Sequence, residues 1–197
     1  MMKYDFYYWG PYLFKTNIDI ELCKQILEKG RKTIKPFNNQ LAGHLEKENL
    51  FEEEDKKFVF EKLKEHFYLY TTTMKEQYGS FTKKVNEIKL ENLWINFMKK
   101  GEFNPPHIHT LDLSFVLFLQ VTKELEEEHS NFKGRDAGPG TLQFAYGEQH
   151  NDMFVSYHSF FPKVGQLFIF PSKLRHMVFP FQSDGERISI SGNLKFL

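Results

Sequence analysis

One cysteine, Cys23, is all the thiol that 197 residues provide. A single thiol excludes a disulfide framework and every thiolate cluster for zinc or iron–sulfur. An excess of either charge is missing as well, since 26 Lys and Arg balance 26 Asp and Glu. That balance excludes a generally basic nucleic-acid binder, so no nucleic-acid partner is expected. Long apolar runs are absent: no window approaches 18 apolar residues, and Asp5 interrupts the aromatic start. The expectations are no signal peptide, no membrane span or membrane partner, and a cytoplasmic location. With thiolates excluded, histidine plus carboxylate is the remaining route to a metal.

What is present fits a folded protein: 41% apolar, 26% charged, with 22 Phe and nine Tyr. The length fits one domain over 1–197. Residues 3–14 read as two short extended pieces around Gly10-Pro11. A helix follows, capped by Asn17 or Asp19, with Leu22, Cys23, Ile26 and Leu27 on one face and Gly30 as its stop. Residues 31–50 show no periodic pattern. In 52–78, Phe60, Leu63, Phe67, Tyr70, Met74 and Tyr78 recur at helical spacing, and Gly79 ends the run.

From residue 85 the character changes. Eight short segments rich in Phe, Ile, Val and Leu (86–99, 102–109, 113–121, 141–146, 153–161, 165–170, 175–180 and 186–196) are separated by Gly and Pro. The expected fold is α+β: a mainly helical part, 1–84, packed on an antiparallel jelly roll, 85–197. The connection 122–140, with five carboxylates and three glycines, reads as a substrate lid or a mobile surface loop.

The eight histidines are unequal. His66, His129 and His150 read as surface residues, and His158 could face either way. His107 and His109 end an apolar strand, where residues two apart share a face, so their imidazoles converge. Two neutral imidazoles make two-thirds of a metal site, and His176, in a turn after the apolar 165–171 segment, is the candidate third. Further on, Arg187 and Ser189 share one strand face, with Ser191 and Asn193 following, while Ile188 and Ile190 take the other. A guanidinium beside a hydroxyl suits a carboxylate. Asn96 alternates with Leu93, Ile95 and Phe97, so it points into the barrel or into solvent.

His107-x-His109, a distal His176 and Arg187-x-Ser189 at that interval resemble the iron(II)- and 2-oxoglutarate-dependent oxygenases. These enzymes build their site in the mouth of a double-stranded β-helix, a jelly-roll relative of the cupins. The stretches Trp94-Ile-Asn96, Asn104-Pro-Pro-His107-Ile-His109 and Pro162-x-x-Gly165 through His176 are similar to a branch found in bacteria and phages, over about residues 90–195. The resemblance implies His107 and His176 as iron ligands and Arg187 with Ser189 holding the C5 carboxylate of 2-oxoglutarate; Asn96, if it points into the barrel, joins them as a cofactor-binding candidate. It also implies Fe(II), 2-oxoglutarate and O2 as reactants and hydroxylation of a small-molecule or peptide substrate. One departure stands out: the superfamily's usual carboxylate, two residues after the first His, is here His109. Three arrangements are then open. His109 ligates; or Asp112 does so, which its odd spacing from His107 allows only across a turn or bulge; or two histidines suffice. A cupin-like metal enzyme without 2-oxoglutarate and a non-catalytic jelly-roll binding module are the alternatives.

Overall fold

The computed structural model describes residues 10–78, 85–135, 137–147 and 156–197. The aromatic start before Gly10, the Gly79 stop and His150 lie outside these. The first strand, β1 (Phe14–Asn17), leads into α1 (Ile20–Arg31), which Asp19 caps by accepting from the N–H groups of Glu21 and Leu22 at 2.9 and 3.1 Å. Gly30 does not stop this helix but lies within its last turn. A Cβ there would drive into Ile95 and stand 3.1 Å from Phe51, so glycine sets how closely α1 approaches the sheet. The second helix, α2 (Glu53–Tyr78), opens on Glu53, Glu54 and Asp55, which suit its positive N-terminal end. It buries Val59, Leu63, Phe67 and Tyr70, at helical spacing. Among the described residues no helix is long and apolar enough to cross a membrane.

The strands β4 (Ile88–Met98), β6 (Leu113–Gln120), β9 (Gln166–Pro171) and β11 (Arg187–Phe196) form the centre of a seven-stranded sheet that also holds β1, β2 (Lys35–Pro36) and β3 (Glu48–Leu50), in the order β1-β9-β6-β11-β4-β3-β2. A second sheet, ordered β5-β10-β7-β8, joins β5 (Asn104–His107), β7 (Leu142–Ala145), β8 (Tyr157–Phe160) and β10 (Arg175–Val178). All pairings are antiparallel. Strand alternation divides the core in two. Leu93, Ile95, Phe97, Phe115, Ile188 and Ile190 face the helices, and α1 and α2 cover them. Val116, Phe118, Phe168 and Phe170 face the other way and pack on Leu142, Phe144 and Val178 of the second sheet.

Two expectations change. Residues 31–50 are not patternless loop: β2 (Lys35–Pro36) and β3 (Glu48–Leu50) extend the large sheet beyond β4, with a 3-10 turn at Asn38–Gln40 between them. Among the described residues the N-terminal part therefore contributes three strands besides its helices. Asn38 shapes the turn, donating to the Leu45 carbonyl at 2.6 Å and accepting from the Glu48 N–H at 3.3 Å. Such short edge strands carry too little alternation to be read from sequence. Residues 122–140 contain α3 (Lys123–Ser130), capped by Thr122, with Leu125 fully buried in the inter-sheet core. The Glu128 carboxylate accepts from the N–H groups of Gln182 and Ser183, at 2.7 Å for the shortest. These contacts fasten the segment down, so neither lid nor mobile loop describes α3.

Candidate active site

The histidines meet because of strand register. His107 on β5 stands directly opposite His176 on β10. The strand ends at His107, so simple alternation does not place His109. Instead its N–H donates to the Ser172 carbonyl at 2.8 Å, which turns the chain and brings the ring back. The ring centroids lie 4.2 Å (His107–His176) and 5.1 Å (His109 to each of the others) apart. Their ligand atoms all fall within 4.8 Å of one another, and the three could hold one metal ion.

The protonation pattern suits that use. Carbonyls only accept, so His107 Nδ1–H donates to the Pro105 carbonyl at 2.7 Å and His176 Nδ1–H to the Leu174 carbonyl at 2.9 Å. Each ring then keeps its Nε2 lone pair free, with the ring oriented by its second nitrogen. Burial lowers the pKa of all three rings. His109 falls to about 4, helped by His107, and His176 to about 3, helped by His107 and His109. At neutral pH the set is three neutral imidazoles, a donor set that iron and other borderline divalent metals accept.

Asp112 lies elsewhere. Its carboxylate accepts from the Phe196 N–H at 2.8 Å, and it is not part of the histidine group. Of the remaining histidines, His158 is exposed on β8. His129 is not a surface loop residue: it belongs to α3 and stacks on Phe161 at 4.0 Å.

The rings open into a cavity of about 200 Å³ that Arg187, Ser189, Asn96 and Trp94 also line. Arg187 is 2% exposed. Its guanidinium lies 4.7 Å over the Phe118 ring, its Nη1 reaches Met98 Sδ at 3.6 Å, and its Nε has no partner. No carboxylate pairs with it among the described residues, and burial lowers its pKa to about 9, so it remains charged at neutral pH. Ser189 sits two residues along the same strand face. Asn96 points inward, as one of the two orientations open to it. Trp94 Nε1–H donates to its Oδ1 at 3.0 Å, which fixes the amide so that Nδ2 donates toward Ser189 Oγ (3.4 Å) and Ser191 Oγ (3.2 Å).

A family model described as "Putative 2OG-Fe(II) oxygenase" matches residues 92–193. The chain belongs to the 2OG-Fe(II) oxygenase family. It is thus an oxygenase whose family uses Fe(II), 2-oxoglutarate and O2. No curated protein matches the sequence. Solved structures show the fold, a double-stranded β-helix. A viral collagen prolyl hydroxylase from Paramecium bursaria Chlorella virus-1 is 13% identical and aligns over 95% of this chain and 98% of its own, with TM-score 0.62. A prolyl-4-hydroxylase from Pseudomonas putida is 14% identical over 94% and 92%, with TM-score 0.59. A Trichoplax adhaerens prolyl hydroxylase, in complex with a hypoxia-inducible-factor peptide, is 12% identical over 94% and 83%, with TM-score 0.55.

One lining residue of this 2OG-Fe(II) oxygenase has no sequence signature. Glu48 on β3 also faces the cavity, is 1% exposed, and its Oε2 has no hydrogen-bond partner. Burial first, then the nearby Glu102 charge, raises its carboxyl pKa to about 7. It lies in the stretch that reads as patternless, which is why sequence reasoning passes over it.

Proposed function

We propose that this oxygenase is a hydroxylase whose iron is held by His107, His109 and His176 and whose 2-oxoglutarate is held by Arg187. The observation that carries the reading is the Arg187 guanidinium. A buried cation without a counter-ion is costly and is retained where something else supplies the anion. It lines the same cavity as three neutral imidazoles, of which His107 and His176 keep free Nε2 lone pairs. A dicarboxylate whose keto-acid end meets a metal and whose far carboxylate meets a guanidinium fits both ends.

The chain's own residues do the positioning. The unpaired Nε of Arg187 offers an N–H to the C5 carboxylate, and the Ser189 hydroxyl adds a second donor. Asn96 orients that hydroxyl and Ser191 from the next strand. Phe144 and Phe170 wall His176 and exclude water from its side of the centre. When bound, Fe(II) and 2-oxoglutarate supply O2 activation coupled to oxidative decarboxylation of the cosubstrate to succinate. The structural neighbours named above act as prolyl hydroxylases, and one holds a peptide. Exposed Ile108, between His107 and His109 and on the cavity lining, gives a peptide or other partly apolar substrate a surface to rest on.

The test is an anaerobic titration with Fe(II) and then 2-oxoglutarate, followed by its visible charge-transfer band and by succinate formation in air. Wild type should show both. Arg187→Ala should weaken 2-oxoglutarate binding by at least about tenfold, the loss expected for charge-assisted hydrogen bonds. Absence of band and succinate in wild type would sink the reading.

A further inference from the structure

Glu48 is held rigidly and left unpaired. On β3 its N–H donates to Asn38 Oδ1 at 3.3 Å and its carbonyl accepts from the Phe37 N–H at 2.7 Å. The residue stands opposite Asn96, and residues so paired share a sheet face, so its carboxyl enters the cavity that Asn96 lines. Gly43 comes close on the other side: a Cβ there would stand 3.2 Å from Glu48 Oε1. A backbone segment without a side chain therefore covers the carboxyl. Glu102, the second buried carboxylate nearby, is already satisfied by the N–H groups of Glu46 at 2.8 Å and Lys99 at 2.6 Å. Glu48 has no such donors for its Oε2 and no ion pair among the described residues.

The cavity thus carries two groups of opposite sign on one sheet face. Arg187 stands on β11, and Glu48 stands two strands away, on the far side of β4. At the usual strand spacing that separation is about 10 Å. The two groups do not neutralise each other, so each is open to a separate ligand group. A buried acceptor without a donor costs free energy in the empty protein and rejects any ligand that leaves it unpaired. Two carboxylates in one neighbourhood, Glu48 and Glu102, repel an anion and favour a cation over a neutral donor.

We propose that Glu48 is the substrate-recognition residue of this site and that the substrate presents a cationic nitrogen, an amine or guanidinium, to its carboxylate. The proposal rests on the hydroxylase reading above and deepens it. The separation of the two charges also orients the reactants. A 2-oxoglutarate carboxylate is drawn to Arg187 and repelled by Glu48, which keeps the cosubstrate out of the substrate's place.

Butylguanidinium and its neutral isostere butylurea are the probes. Each is titrated by calorimetry into the Fe(II)- and 2-oxoglutarate-loaded protein without oxygen, and into the metal-free protein. Wild type should bind butylguanidinium about tenfold more tightly than butylurea, and butyrate least. Glu48→Gln should erase the preference while the charge-transfer band of bound 2-oxoglutarate persists. Equal affinities in wild type, no saturable binding of butylguanidinium, or an unchanged preference in Glu48→Gln would each overturn the proposal. Should Glu48→Gln fail to fold, the order of affinities in wild type decides alone. If neither protein develops the band, the hydroxylase reading falls, and the affinity ratio in the metal-free protein still judges Glu48.

Discussion

Single residues carry this site, and they differ in how openly they announce themselves. His107, His109, His176, Arg187 and Ser189 fall at spacings that can be read along the chain, because each is fixed to one strand or turn. Glu48 cannot be read so. It is set by β4 beside it and by the Gly43 segment near its carboxyl, neither of which leaves a mark on its own neighbours in sequence. Its chemistry is measurable all the same. The carboxyl titrates at about 7 in the folded protein against an ordinary value of 4.5. The folded state therefore holds this proton more firmly than the unfolded chain. That contribution to stability is complete below about pH 4.5 and is lost as pH rises through about 7. Glu48→Gln, which mimics the protonated carboxyl, removes the dependence. In the metal-free protein the variant should match wild type near pH 4.5 and exceed it above pH 8, by on the order of 2–3 kcal/mol. Urea titrations at the two pH values check this, and a difference that does not grow with pH refutes it. The three histidines titrate with the opposite sign: lowered pKa values add stability that is lost as pH falls below about 6.5. Comparing two proteins that share those rings cancels their effect.

At the scale of elements, long strands and long helices follow from pattern. The β4 and β11 strands alternate cleanly because one face meets helices and the other meets a ligand cavity. The α2 stripe is regular because it lies along a whole sheet. Short elements behave differently. The β2 and β3 strands are two and three residues long, and α3 spends one side chain, Leu125, on the core. An element with a single buried residue has no period to detect. Leu125→Ala distinguishes a fastened helix from a mobile loop. Truncating this fully buried side chain should cost about 2–5 kcal/mol by chemical denaturation, whereas a mobile segment would lose almost nothing.

For the whole molecule, two sheets with one core between them and another under the helices hold the site at their open edge. Ligands that bind only this folded arrangement stabilise it by mass action, about 2.7 kcal/mol each at a hundredfold excess over Kd. Anaerobic melts should therefore rise in two steps, first with Fe(II) and then with 2-oxoglutarate. His176→Ala should lose both steps, since the keto acid needs the metal. Arg187→Met should keep the first and lose the second. Both variants responding like wild type would refute the assigned roles.

By itself the sequence determined the character of the strands and long helices and marked His107, His109, His176, Arg187 and Ser189 as candidates, because alternation and motif spacing are local properties. Only the tertiary structure decided that His109 joins His107 and His176 while Asp112 turns to Phe196, since a backbone bond to Ser172 and a contact 84 residues away settle it. It likewise decided that Glu48 and Arg187 face one cavity from strands two apart in the same sheet. Such convergence depends on register between strands far apart in the chain, and register is set by packing the whole core at once.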